Sequence, residues 1–288
     1  MKLSNEWKEY ECIDAGGGEK LERWGDIVLR RPDPQAMWDA FYKDKWNNID
    51  AHYYRNSKGG GNWEFKKRLP ESWIISYKDL KFKVKPTDFK HTGLFPEQAV
   101  NWDYAIEKIK NSNRKIKVLN LFAYTGGATI ACLYAGADVV HVDASKGMTE
   151  WAKENMHLSG LENSNIRFII DDCLKFVERE IRRGNKYDAV IMDPPSYGRG
   201  PNGEVWKFEK NIYILIESVM KILSDKPLFL LINSYTTGIS STVLNNILKT
   251  TILKEHDGNI ESGEIGIPIT RDNLVLPCGI YGRWEAND

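Results

Sequence analysis

The chain has 288 residues, 42% of them hydrophobic, enough to bury the core of one large domain or two smaller ones. Forty basic and forty acidic side chains leave no net charge, so bulk electrostatics do not advertise a nucleic-acid binder. No stretch approaches the roughly 20 uninterrupted apolar residues of a membrane helix, the polar opening Met1-Lys2-Leu3-Ser4-Asn5-Glu6 has no signal-peptide core, and the cytoplasm is the expected compartment. The four cysteines, Cys12, Cys132, Cys173 and Cys278, are scattered and read as reduced packing residues; neither a zinc cluster nor a disulfide framework is suggested, and no metal is expected.

Up to about residue 85, short apolar and aromatic runs alternate with turn signals at Gly16-Gly17-Gly18, Pro32-Asp33-Pro34 and Gly59-Gly60-Gly61. That pattern predicts a small β-rich N-terminal domain over residues 1–85 and a larger domain over 86–288. Leu80-Lys81-Phe82-Lys83-Val84-Lys85 has strict period two and predicts a strand with lysines on one face. Residues 58–90 hold nine Lys or Arg against four acids, interleaved with Trp63, Phe65, Trp73, Tyr77 and Phe82. Two uses fit this stretch. The aromatics stack on unpaired bases while the lysines neutralise phosphates, or the aromatics are core and the lysines a solvated face.

A linking segment, Lys90-His91-Thr92-Gly93-Leu94-Phe95-Pro96-Glu97-Gln98, leads into a helix predicted from Pro96 to about Asn111, with proline in its first turn. Strands and helices then alternate. Strands are predicted at 117–122, 138–143, 166–170, 187–192 and 227–233, with helices at 127–136, 146–159, 173–183, 209–223 and 240–252, and two last strands near 260–267 and 273–280. The first strand breaks into a turn ending at Gly126-Gly127, where the backbone can approach a ligand and the next helix aims its N–H groups at it. Later strands end in carboxylates at Asp143, Asp171-Asp172 and Asp193, which puts ligand groups along the carboxyl edge of a parallel sheet. A dinucleotide-binding oxidoreductase would carry G-x-G-x-x-G, which this turn lacks.

Leu121-Phe122-Ala123-Tyr124-Thr125-Gly126-Gly127, taken with Asp193-Pro194-Pro195-Ser196-Tyr197, resembles the class I S-adenosylmethionine (SAM) dependent methyltransferases. Within them it is similar to the branch that methylates bacterial large-subunit ribosomal RNA, over roughly residues 80–285. The resemblance implies an α/β fold with a Rossmann-like seven-stranded sheet, SAM as cofactor, and RNA, ribosomal in that branch, as partner. It implies that Asn120, Phe122, Ala123, Tyr124, Thr125, Gly126 and Gly127 cradle the methionine portion of SAM. Asp143 with Ala144 and Ser145 would hold the ribose hydroxyls, and Asp172, or else Asp171, with Cys173 would meet the adenine. Phe95 and Gln98 would line the pocket. Each carboxylate has a competing use as a helix N-cap. Asn120 stands where an acidic residue is frequent, and Phe122 and Tyr124 replace small residues.

The catalytic element implied is Asp193, Pro194, Pro195 and Tyr197. Two prolines stiffen the turn so that Asp193 and neighbouring carbonyls accept the N–H of a target amine while Tyr197 stacks on a flipped base; a serine inserted at 196 displaces that tyrosine by one position. Methylation of C5 of a pyrimidine needs a cysteine thiolate, and the fifth-strand tip reads Asn233-Ser234-Tyr235-Thr236-Thr237, with Tyr235 in the cysteine's place. A nitrogen or oxygen acceptor is therefore expected, a guanine nitrogen first among them. Arg199, Lys207 and Arg283 are either phosphate contacts or solvated surface. A SAM enzyme acting on a small molecule or a protein, and a non-catalytic RNA-binding factor, are the alternative readings.

Overall fold

The computed structural model describes residues 1–41, 44–56, 60–270 and 274–287. Lys58 and Gly59 of the basic stretch lie outside them. The chain forms two compact units, Val100–Glu264 with Gly279–Asp288, and Lys2–Ala99 with Ile265–Cys278. The β-rich unit thus continues past residue 85 and takes in a second, distant segment. Hydrogen bonds that a linear reading cannot see make that assignment: Ser4 Oγ and Trp7 Nε1 donate to Pro96 O at 2.7 and 2.9 Å, and Thr270 N donates to Cys12 O at 2.9 Å.

In the β-rich unit, β1 (Lys2–Leu3) precedes a five-stranded sheet of β2 (Tyr10–Gly16), β3 (Glu19–Trp24), β4 (Ile27–Pro32), β5 (Ala51–Arg55) and β6 (Gly61–Phe65), followed by the hairpin β7 (Trp73–Tyr77) and β8 (Leu80–Val84). β8 alternates as its period predicts, with Leu80, Phe82 and Val84 buried and Lys81 exposed. The sheet buries an ion pair, Arg31 Nε to Glu22 Oε2 at 2.6 Å, and Tyr10 Oη donates to the other Glu22 oxygen at 2.7 Å. Such a group is tolerated inside only because every charge has a partner.

The larger unit begins in α1 (Ala99–Asn111), entered through a short 3-10 turn at Pro96–Gln98, and alternates β9 (Lys117–Leu121), α2 (Gly127–Tyr134), β10 (Asp138–Asp143), α3 (Lys146–Leu158), β11 (Ile166–Ile170), α4 (Cys173–Arg183) and β12 (Ala189–Met192). A hairpin, β13 (Tyr197–Arg199) and β14 (Val205–Lys207), comes next, where no strand was expected. α5 (Phe208–Met220), β15 (Phe229–Ser234), α6 (Ser241–Thr251), β16 (Gly258–Pro268) and β17 (Val275–Ala286) complete the chain. The sheet order is β16-β17-β15-β12-β9-β10-β11, parallel from β15 to β11 and antiparallel between β15 and β17. This is the Rossmann-like seven-stranded arrangement, with β1 added beyond β16 through Ile265 and Gly266.

Alternation within the strands sets the two faces. Leu119, Leu121, Val140, Val142, Val190, Met192, Leu230 and Ile232 point to the layer holding Phe176 and Val177 of α4, Leu215 and Ile216 of α5, and Leu244 and Leu248 of α6. Connections leave β9 toward β10 on one side and β12 toward β15 on the other, so the crevice where such folds bind ligands opens beyond the ends of β9 and β12. No helix among the described residues is long and apolar enough to cross a membrane.

Candidate functional site

The turn after β9 is built from residues in the left-handed region: Phe122, Tyr124 and Gly126 have φ of 55°, 51° and 85°. For the two non-glycines this costs on the order of 1 kcal/mol each, and the surrounding donors and acceptors hold them there. Phe122 N–H meets Cys173 Sγ at 3.3 Å, Ala123 N–H donates to Val142 O at 3.0 Å, and Tyr124 N–H donates to Asp143 Oδ2 at 2.7 Å. Gly126 then caps α2. A Cβ on Gly127 would stand 2.6 Å from the Trp102 ring, so the helix start is pressed against α1 by the lack of a side chain.

Asp143 ends β10 half-buried, its second oxygen accepting Ser145 N–H at 2.8 Å. Burial pushes its pKa up, while the bonds from Ser145 and Tyr124 hold it down; the balance is upward. Each oxygen keeps a lone pair for a ligand hydroxyl. Ala144 sits in the turn between, and Ser145 caps α3 by accepting Met148 N–H at 3.3 Å, so Ser145's hydroxyl is engaged with the helix.

The adjacent aspartates divide their labour. Asp172 caps α4, accepting Lys175 N–H at 2.9 Å, and Asp171 is ion-paired with Arg179 and accepts Asp172 N–H at 2.9 Å. Asp172 stands beside Cys173 at the start of α4, while Asp171 is held by Arg179. Asn120 is placed differently from what the turn's position suggests. It is buried, and its amide donates to Thr129 Oγ1 at 2.9 Å, which in turn lies 2.9 Å from His141 Nδ1. Being one residue out of phase with Leu119 and Leu121, its side chain points to the opposite face of the sheet, against α2. Phe95 and Gln98 belong to the β-rich unit, where Phe95's ring lies 5.3 Å from His91's and its carbonyl accepts Gln98 N–H at 3.0 Å.

After β12, Asp193 N–H donates to Leu121 O at 3.3 Å and the two prolines follow. Pro195 O accepts the Trp206 indole N–H at 2.7 Å and Ser196 O accepts Phe208 N–H at 3.0 Å. Each of those two carbonyls already accepts one donor. Tyr197 opens β13 and is 52% exposed. Ser196 Oγ accepts from Thr236 Oγ1 at 2.9 Å, tying the turn to the tip of β15. Asn233, at that tip, accepts from Asn101 Nδ2 at 2.8 Å.

Arg283 is neither a phosphate contact nor solvated surface. It is 6% exposed, donates to Val100 O at 3.2 Å and Asn101 Oδ1 at 2.5 Å, and lies between the Tyr104 and Tyr281 rings at 4.3 and 4.7 Å. Among the described residues no group of three or more His, Cys, Asp or Glu could hold a metal ion. Of the aromatics in the basic stretch, Tyr77 and Phe82 are buried, Trp63 and Trp73 are half-buried with indole N–H groups bonded to Thr87 O and Trp24 O, and Phe65 stands 53% exposed.

The family model described as S-adenosylmethionine-dependent methyltransferase matches residues 35–238. The chain belongs to that family. A methyltransferase of known structure from Agrobacterium tumefaciens is 38% identical, with a TM-score of 0.95 over 99% of this chain and 93% of that one. A second structure, SMU.776, a putative methyltransferase complexed with SAH, shares the fold at 18% identity and a TM-score of 0.76, over 97% of this chain and 76% of that one. The ribosomal RNA large subunit methyltransferase K/L of Pseudoalteromonas atlantica is 32% identical over 168 residues, 58% of this chain and 23% of that protein, so the matched stretch spans about a quarter of the relative's length.

SAM is thus this methyltransferase's cofactor, and the donor set suits it: a carboxylate fixed at the β10 tip for a diol, a second at the β11 tip for an amino group, and a helix N-terminus behind a tight turn for the amino-acid tail. Sequence reasoning missed Trp206, Thr236 and Trp102. None of the three carries a local pattern that would single it out, and Thr236 appears in the sequence only as part of the fifth-strand tip.

Proposed function

We propose that this methyltransferase modifies a base nitrogen of ribosomal RNA in the cytoplasm, with the β-rich unit gripping the RNA. The observation that carries the reading is the immobilised Asp193-Pro194-Pro195 turn, with an exposed tyrosine one serine beyond it and no cysteine at the β15 tip. The name of the Pseudoalteromonas relative supports the substrate class, as do exposed Phe65 and Phe89 beside a lysine-rich run, both able to stack on bases.

SAM supplies an electrophilic methyl group on a positively charged sulfur. Asp143 would accept the ribose hydroxyls and Asp172 the adenine amino group, and so hold the cofactor in the crevice. The Asp193 carboxylate and the Pro194 carbonyl receive the N–H of the acceptor base, turning its lone pair toward the methyl carbon. Asp193 would take up the proton that the acceptor nitrogen gives up, S-adenosylhomocysteine being what SAM leaves behind when its carbon–sulfur bond breaks. Tyr197 stacks on the extruded base and helps exclude water. The neutral net charge is the one feature favouring a small-molecule acceptor instead.

The test is incubation with methyl-labelled SAM and, separately, unmodified ribosomal RNA, transfer RNA and a small-molecule extract, with Asp193→Ala as control. Label entering ribosomal RNA with the wild-type protein alone is the expected result. Label confined to the extract would overturn the RNA reading, and covalent trapping on 5-fluorocytidine RNA would overturn the nitrogen acceptor.

A further inference from the structure

The acceptor turn cannot set its own shape. Pro194 and Pro195 have fixed φ but no N–H, so no hydrogen bond donated within the turn determines how their carbonyls point. Outside donors do so. Trp206 is 5% exposed, and its Nε1 donates to Pro195 O at 2.7 Å. Opposite it across the β13–β14 hairpin stands Gly198, where a Cβ would come within 3.3 Å of Pro195 Cγ and 3.9 Å of Trp206 Cβ, so the lack of a side chain permits the approach. On the other flank Thr236 Oγ1 donates to Ser196 Oγ at 2.9 Å, and Thr236 is itself fixed by its N–H to Ser234 Oγ at 3.2 Å. The Trp206 ring also lies 4.8 Å from the ring of Phe122, whose left-handed backbone begins the cofactor turn.

We propose that Trp206 and Thr236 are positioning residues for methyl transfer, clamping the Asp193–Ser196 turn from both sides so that the acceptor nitrogen is presented to the methyl carbon, with Trp206 also linking that turn to the cofactor turn through Phe122. This rests on the reading of the turn as the acceptor site. Neither side chain is required to touch SAM or the base. The indole N–H fixes the direction of the Pro195 carbonyl, in the peptide joining Pro195 to Ser196, and the threonine hydroxyl holds the Ser196 side chain, so the turn is pinned just after Asp193-Pro194.

The test compares Trp206→Phe, Thr236→Val and Thr236→Ser in the full chain. SAM affinity is measured by calorimetry, the thermal midpoint by circular dichroism, and kcat and KM on the acceptor identified by the labelling experiment. Trp206→Phe keeps an aromatic ring against Phe122 and removes the donor. It is expected to lower kcat about 10- to 100-fold, the size of effect that small misplacement of a reacting group produces, with SAM affinity and acceptor KM within about twofold of wild type. Thr236→Val is expected to lower kcat in the same sense, and Thr236→Ser, which keeps the hydroxyl, to restore it. A kcat within twofold of wild type in both Trp206→Phe and Thr236→Val, a loss of kcat matched by an equal loss of SAM affinity, or failure of serine to rescue would overturn the proposal. Should Trp206→Phe not fold, the valine and serine pair decides. An inactive Asp193→Ala beside fully active Trp206→Phe and Thr236→Val refutes the clamp alone, whereas an active Asp193→Ala refutes the reading of the turn.

Discussion

A carboxylate that caps a helix cannot be judged by alanine alone. Asp172 accepts Lys175 N–H, a bond asparagine makes equally well, but asparagine would present an amide donor where an adenine amino group needs an acceptor. Asp172→Asn is therefore expected to keep stability within about 0.5 kcal/mol of wild type and to weaken SAM binding severalfold, while Asp172→Ala also loses about 1 kcal/mol of helix stability; calorimetry beside urea denaturation separates the two. Asp143 was legible as a polar residue closing an apolar strand, yet its grip on Tyr124 N–H across 19 residues was not, because nothing in the sequence reports that the β9 turn bends back to meet it. Buried His141 is a different case. Burial lowers its pKa from the ordinary 6.5 to about 3, so the folded protein stays unprotonated where the unfolded chain takes up a proton. The penalty is absent above pH 6.5, grows as pH falls by up to about 1.4 kcal/mol per unit, and saturates near pH 3. Urea midpoints between pH 7 and 4 should accordingly fall less steeply in His141→Gln than in wild type.

Among elements, helix and strand order in the larger unit could be read from alternation and strand tips, and α4 and β10 match their expected limits, because caps at Asp172 and Gly184 and a carboxylate at Asp143 are local signals. The β13–β14 hairpin was hidden by its composition: Gly198, Gly200, Pro201 and Gly203 signal a turn, and only the pairing of Tyr197 with Lys207 and Arg199 with Val205 makes it an element. Arg283 escaped for the opposite reason. An arginine on a final strand is usually exposed, and its burial depends on Asn101, Tyr104 and Tyr281, which α1 and β17 bring together. The α1–α2 junction is also invisible in sequence. Gly127→Ala places a methyl group into the Trp102 indole, and a loss of about 1–3 kcal/mol in thermal or urea denaturation is expected. Because Gly127 begins the helix behind the cofactor turn, SAM affinity should fall in the same variant.

For the molecule as a whole, zero net charge is an informative constraint on how RNA would be held. Lys66, Lys67 and Lys78 of the basic stretch are ion-paired with Glu64, Asp50 and Glu6, so the stretch carries less free charge than its composition suggests. RNA binding should then depend weakly on salt, with a slope of log affinity against log salt no steeper than about −3; filter binding between 50 and 300 mM salt checks this, and a much steeper slope would mean those pairs open on binding. The division of the chain also bears on truncation. A fragment beginning at residue 100 carries Ile265, Ile267 and Ile269, all buried in the β-rich unit, without the strands that cover them. It is expected to aggregate on expression, as judged by gel filtration, although the whole Rossmann-like sequence is present. The same division governs the order of events during synthesis. The β-rich unit waits for 265–278 and the Rossmann-like unit for the residues from Gly279 onward, so neither can close while the ribosome is still translating the body of the chain. Folding of both units is deferred until the residues after 264 have been made, and a nascent chain stalled at residue 264 should be cut by protease in both halves, whereas the released protein resists.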